Sequence, residues 1–319
     1  MSDQFLQREI NVGSFPSAVY AVGSSSGIER EGVLGHAVAV PLRIPATLAT
    51  IYDCASLTKP LVTTTLALQE LDLDHRIHGY SVRELLTHTS GLRAWMPLYA
   101  YDDPIAALLK EGPEYERGTR VVYSDLNFIL LWSALGDYVA KAQERIFTPL
   151  GLDDAMFNPP PSLRPRIAAT EWGQRYEAKM AGRTDLPKRE GLIWGETHDG
   201  NSFHAGGTAG NAGLFATARA VFRLAQAWVN AELLPRAIVD EATRDLTPGL
   251  EEARGLGWQL TPSGEYGHTG FTGTSLRIDP ARDSIMVLLT NRVHPCAAPI
   301  AMQRIRADFY RLAMGKGTS

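Results

Sequence analysis

Strand-forming segments stand near both ends of this 319-residue chain, with helix-forming segments between them. Ala18 to Val22 and Ile28 to Leu34 flank Gly23-Ser24-Ser25-Ser26-Gly27, whose glycines and serines suit a hairpin turn. Far along the chain, Gly257 to Leu260, Thr274 to Ile278 and Ser284 to Leu289 are strand-like again, the last two joined by the turn Asp279 to Asp283. Between these ends, apolar spacing and Gly/Pro punctuation predict helices at Thr58–Leu71, Val82–Thr87, Asp103–Lys110, Asp125–Val139, Lys141–Phe147, Thr217–Ala231 and Arg236–Leu246. Two more are expected at Ser2–Ile10 and Ala298–Ala313. Such an order predicts an α/β (α+β) fold: one antiparallel sheet built from both chain ends, flanked by helices, with an inserted, mostly helical domain. The expected division is 1–75 and 205–319 for the sheet domain and 76–204 for the helical one. The proline-rich, charged stretch Asn158 to Asn201 reads as an extended loop over a surface or cleft, and the active site is expected between the two domains.

Composition narrows the function classes. With 45% hydrophobic and 21% charged residues the chain can bury a core. A net charge of -4 and the lack of a long Lys/Arg block argue against a nucleic-acid footprint or a polybasic membrane patch. The longest apolar runs, such as Phe128 to Trp132, fall far short of the ~20 residues a spanning helix needs. The expected partner is a small acyl compound rather than nucleic acid or membrane. No apolar run follows a basic start at the N-terminus, so the reading is cytoplasmic unless a leader has been removed. Cys54 and Cys296 are too sparse for a disulfide framework and are expected to be reduced and mostly buried.

Four motifs carry possible chemistry. Gly23 to Gly27 spells Gly-x-Ser-x-Gly, but a nucleophile elbow on Ser25 needs a helix to follow, and Ile28 to Leu34 is not one. Ser56-Leu57-Thr58-Lys59 places a serine and a lysine three apart at the start of a predicted helix. There the amine can reach the hydroxyl if burial lowers its pKa, and free N–H groups favour a developing oxyanion. The spacing alone is weak, since six lysines would produce it by chance often enough. Tyr123-Ser124-Asp125 precedes a helix, so Asp125 reads as an N-cap and Tyr123 as a core aromatic or a proton relay. His268-Thr269-Gly270, followed by Phe271, lies in or beside a strand where glycine admits a close backbone approach. The cluster His198, Asp199 and His204 matches no zinc spacing, so loop hydrogen bonding is preferred and neither metal nor cofactor is expected.

In combination these motifs resemble the serine β-lactamase and penicillin-binding-protein superfamily, in its branch of class C β-lactamases, D-alanyl-D-alanine carboxypeptidases and related esterases. That family carries Ser-x-x-Lys, Tyr-x-Asn and Lys-Thr-Gly or His-x-Gly in this order, here Ser56/Lys59, Tyr123/Asp125 and His268/Gly270. Supporting segments are Leu85 to Leu92, Pro149 to Leu152, Gly210 to Phe215 and Thr290 to Pro295. The resemblance implies a serine hydrolase in which Ser56 attacks an acyl carbon, Lys59 and Tyr123 shuttle protons, and water releases the acyl group. It implies an oxyanion hole from the backbone N–H groups of Ser56 and Phe271, and substrate contacts from Asp125, His268, Thr269, Gly270 and Arg292. Asp125 departs from the usual Asn and could hold Lys59 protonated. His268 in place of Lys weakens a fixed charge for a substrate carboxylate, which Arg292 would have to supply. Esters or small amides are therefore the expected substrates. The alternatives are a D-Ala carboxypeptidase or weak β-lactamase, or a ligand-binding protein that turns over poorly.

Overall fold

The computed structural model describes residues 1–183 and 185–315. Its main sheet has seven strands, in spatial order Ile44–Pro45, Gly27–Val38, Ser17–Ser24, Ser284–Thr290, Ser275–Asp279, Tyr266–Thr269 and Gln259–Leu260. All neighbouring pairs are antiparallel. The two chain ends meet at its centre, where Ala18 lies opposite Thr290 and Val22 opposite Met286. The fold is thus the expected mixed one, with Tyr266–Thr269 as a strand of its own beyond the three expected in that region.

Alternation along the central strands sorts side chains onto two faces. Ala18, Tyr20, Val22, Met286 and Leu288 pack with Phe5 and Leu6 of the helix Ser2–Asn11 and with Ile305 and Phe309 of the helix Met302–Ala313. Val19, Ala21, Val287 and Leu289 face the larger core, shared with Val221, Leu224 and Ala225 of the helix Ala218–Val229. Burial on both faces makes these strands continuous apolar runs and fixes their register, because a one-residue slip would exchange the two sets.

Three local expectations are corrected. The predicted helix Thr58–Leu71 is a 3₁₀ turn at Ala55–Leu57, a π-helical stretch at Lys59–Thr64 and an α-helix only at Thr65–Glu70. Thr65 returns its hydroxyl to the Leu61 carbonyl at 3.0 Å, a side-chain bond that competes with the regular ladder. The predicted helix Asp125–Val139 ends at Leu135, where Gly136 takes a positive φ of 63°, and the chain resumes helically at Tyr138–Ala142. Cys54 is buried, but Cys296 is exposed in the connection that leaves the last strand. The stretch Asn158 to Asn201 is largely irregular as expected, with a short helix at Arg175–Ala181. Among the described residues no helix is long and apolar enough to cross a membrane.

Candidate active site

A two-residue strand, Tyr52–Asp53, pairs with Phe215–Ala216 and delivers the chain into the turn that carries Ser56. Ala55, immediately before the serine, holds a positive φ of 47°, a left-handed conformation that costs a residue with a Cβ and persists only when its surroundings enforce it. Here they do. The buried Asp53 accepts the Ala55 N–H at 2.9 Å on Oδ1 and the His198 N–H at 2.7 Å on Oδ2. Thr58 Oγ1 donates to the Ala55 carbonyl at 2.6 Å. From the sheet side, Thr274 Oγ1 donates to the Cys54 carbonyl at 2.9 Å and Thr272 Oγ1 to that of Asp53 at 2.7 Å. Asp53, unmarked by any motif, therefore ties the serine turn to the loop at His198.

The π-helical stretch carries Lys59 beneath the serine. Its side chain is fully buried, with Nζ 3.0 Å from Ser56 Oγ, 2.9 Å from the Asn211 carbonyl and 2.6 Å from Asp125 Oδ1. Asp125 is not the N-cap that was expected. Ser124 occupies that position in an extended conformation, its hydroxyl spent on the Arg93 carbonyl at 2.6 Å. Asp125 is thereby free in the first helical turn to face the lysine. The expectation that burial lowers the Lys59 pKa is reversed as well. Burial is the largest single influence and does pull it down, but Asp125 and Tyr123 together outweigh it and leave Lys59 above its ordinary value. Burial likewise pushes Asp125 up, against the pull of Lys59. Since the amine starts far above the carboxyl, the proton stays on Lys59 and the pair is ionic.

Tyr123 completes the cluster, with Lys59 Nζ 5.1 Å from its ring centre. Burial raises its pKa, and the Lys59 charge draws it partly back. The His88 ring packs against it at 4.8 Å between centroids, and His88 Nδ1 accepts the Ser124 N–H at 3.1 Å, fixing the segment that carries the tyrosine.

The strand Tyr266–Thr269 brings His268 to the same place, its ring 5.7 Å from that of Tyr123. Gly270 follows, and a Cβ there would stand 2.0 Å from Thr274 Oγ1 and 2.7 Å from the Cys54 carbonyl oxygen. The glycine is what lets this strand end lie against the serine turn. Gly270→Ala should therefore force the two apart, destabilising the protein by about 1–3 kcal/mol and depressing activity more than its stability loss explains. Thermal unfolding measured beside residual activity checks this, and an unchanged variant would remove the close approach from the account. Arg306 donates to the Gly270 and Thr274 carbonyls at 2.8 and 3.0 Å, and Arg292 donates to that of Phe271 at 2.7 Å while covering its ring.

Ser56, Tyr123, Asp125, His268, Thr269, Gly270, Phe271 and Arg292 all line one cavity of about 680 Å³, with Lys59 directly below its floor. The residues of the three ordered motifs that carry the family resemblance are thus brought together, with Phe271 and Arg292. Sequence reading missed Arg254, which lines the same cavity with its guanidinium 5.6 Å from the Tyr123 ring centre and paired with Glu252 at 3.0 Å. Nothing in Glu251-Glu252-Ala253-Arg254 distinguishes it from a solvated charge run. Ser25 lies elsewhere, on an exposed hairpin, with its hydroxyl donated to Asp283 at 2.8 Å. His198 is engaged by Glu171 at 3.0 Å, and His204 stacks on Tyr99. The arrangement can support nucleophilic chemistry, with a hydroxyl at a strained turn and a buried proton relay against it.

A family model described as Beta-lactamase matches residues 3–309. A protein of Escherichia coli (strain K12) named "Putative D-alanyl-D-alanine carboxypeptidase" is 29% identical, over 93% of this chain and 83% of its own. One of Bacillus subtilis (strain 168), named N-acetylmuramyl-L-alanine amidase, is also 29% identical, over 92% and 80%. Among solved structures, EstCE1, described as a hydrolase with promiscuous acyltransferase activity, superposes with a TM-score of 0.74 at 17% identity, covering 99% of this chain and 97% of that one.

Proposed function

The chain belongs to the Beta-lactamase family, a superfamily of serine hydrolases, and from that premise we propose that it forms an acyl-enzyme on Ser56 and acts on uncharged carboxylic esters or small amides. The observation that carries this reading is the Lys59 ammonium held 3.0 Å from Ser56 Oγ and 2.6 Å from Asp125. In the form of the site whose Lys59–Tyr123 relay has already lost one proton, Ser56 Oγ attacks the acyl carbon and gives its proton to that relay. The oxyanion that forms is received by the Ser56 and Phe271 N–H groups. Collapse expels the leaving group with a proton returned by Tyr123, and water then releases the acyl group along the same relay.

Substrate charge follows from the cavity wall. Burial, with help from Lys59 and Arg254, holds His268 well below the usual imidazole range, so it is neutral at pH 7. Asp125 adds a negative charge to the same cavity. A carboxylate facing a permanent cation would gain about 1.5–3 kcal/mol from a charge-assisted hydrogen bond, and His268 does not supply it. Short p-nitrophenyl esters need no such contact. We therefore expect p-nitrophenyl acetate or butyrate to be hydrolysed with a higher kcat/KM than nitrocefin.

A second reading, a D-Ala carboxypeptidase or weak β-lactamase, is favoured by the name of the Escherichia coli relative and by the Arg254 and Arg292 guanidinium groups in the cavity wall. A nitrocefin kcat/KM equal to or above that of the esters would select it. Labelling the pure protein with a fluorophosphonate and with a penicillin, then mapping adducts by mass spectrometry, tests the premise common to both. An adduct on Ser56 that persists without turnover would favour a ligand-binding protein, and reaction elsewhere would refute the assignment of the nucleophile.

A further inference from the structure

His268 is 4% exposed and lines the cavity. Its Nδ1 lies 3.0 Å from the carbonyl oxygen of Thr269, and a carbonyl can only accept, so Nδ1 carries the ring proton. In that tautomer Nε2 bears a lone pair and no hydrogen. Among the described residues Nε2 is buried without a hydrogen-bond partner. An acceptor left in this state is costly, and a site that contains one favours any bound molecule able to donate to it.

The direction in which that donor must lie follows from the neighbours. The His268 ring adjoins Tyr123, the group that returns a proton to the departing atom in the proposed reaction, so His268 faces the leaving portion of the substrate. The cations nearby do not remove the vacancy. Arg254 is engaged by Glu252, Lys59 by Asp125 and Arg306 Nη2 by two carbonyls, and the buried Arg306 Nε makes no hydrogen bond to His268. They do oppose a second proton on the imidazole, which keeps the lone pair available.

We propose that His268 Nε2 is a neutral hydrogen-bond acceptor that selects acyl compounds whose leaving alcohol or amine carries an O–H or N–H donor close to the scissile bond, such as esters of vicinal diols and secondary amides. Such a residue sets specificity and takes no proton in the reaction. The inference rests on the proposed serine hydrolase reading, and it inverts the requirement of a lysine at this position, which could only donate.

A matched pair isolates the contact: 2-hydroxyethyl and 2-methoxyethyl butyrate differ in a single donor. The native protein should prefer the hydroxyl ester roughly tenfold in kcat/KM, the usual worth of one buried hydrogen bond. His268→Leu should bring the ratio to near one, with the hydroxyl ester losing about tenfold more than the methoxy ester. His268→Gln, which restores an acceptor oxygen, should recover part of the preference. A readout independent of turnover is the ¹⁵N spectrum of the full chain labelled at histidine, with the His268 signals assigned from the Gln variant. It should show an Nδ1-protonated ring whose unprotonated nitrogen shifts on adding ethylene glycol monobutyrate to the Ser56→Ala protein. Equal hydrolysis of both esters by the native protein would overturn this inference and leave the hydrolase reading standing. An Nε2-protonated tautomer would overturn it as well. Failure to hydrolyse either ester, with no adduct on Ser56, would overturn both.

Discussion

Ser56→Ala is expected to reduce ester hydrolysis below about one part in a thousand of the native rate while leaving the fold intact. The hydroxyl accepts from Lys59, but the surrounding turn is held by Asp53, Thr58, Thr272 and Thr274 rather than by Ser56. Thermal unfolding should therefore be nearly unchanged, and the fluorophosphonate adduct should vanish. Near-native turnover would move the chemistry to another nucleophile. Ser25, the serine of the other suggestive motif, sits on an exposed turn paired with Asp283 rather than in the cavity, so it would be a surprising substitute.

Lys59 is expected to matter twice over, for turnover and for stability. Lys59→Met leaves Asp125 facing a largely buried space without its cation, and breaking a buried pair from one side costs about 3–5 kcal/mol. The double variant Lys59→Met with Asp125→Asn should recover most of that stability and none of the activity. Tyr123→Phe should be severe as well, and combining it with Lys59→Met should cost far less than the product of the single losses, because the two groups act as one relay. Full multiplicativity would separate them.

The pH dependence has a definite sign. Lys59 and Tyr123 both sit above their ordinary values, and the reactive relay is the one that has lost a proton, so activity should still be rising in mildly alkaline solution. Asp125→Asn removes the main charge that holds the Lys59 proton and leaves burial in place, so the rise should move to lower pH. A rise that stays put would disconnect Asp125 from the relay. The same shift acts on folding. A lysine whose pKa is raised in the folded state contributes stability below its unfolded value near 10.4, and that contribution is lost as pH climbs through the folded value.

Much of this was legible in the chain because it depends on local pattern. The strands at either end announce themselves by apolar runs bounded by turn residues, and Gly23 to Gly27 is the hairpin that its composition suggests. Ser56, Lys59, Tyr123 and His268 were legible as motifs in order, and the cavity gathers them. What was not legible depends on partners distant in sequence. Asp125 reads as a cap when only its own helix is considered, and becomes the counter-ion of Lys59 only because the helix start is packed against the π-helical stretch. That stretch, Lys59–Thr64, is too short for the wider π-turn to show in the apolar spacing. Arg254 and Asp53 carry ordinary local surroundings, and their importance comes from partners more than a hundred positions away.

The meeting of the two chain ends at the centre of the sheet governs when the protein can first work. During synthesis, Ser17–Ser24 leaves the ribosome with one edge covered by its own hairpin and the other bare until Ser284–Thr290 emerges. The carbonyls that frame the Ser56 turn likewise wait for Thr272 and Thr274. Closure of so distant a pair is slow compared with local helix formation. Ser56, Lys59 and Tyr123 thus emerge well before Thr272, Thr274 and the strand Ser284–Thr290 that complete their surroundings. On the proposed serine hydrolase reading, first turnover would coincide with completion of the sheet, and activity would serve as a readout of finished folding.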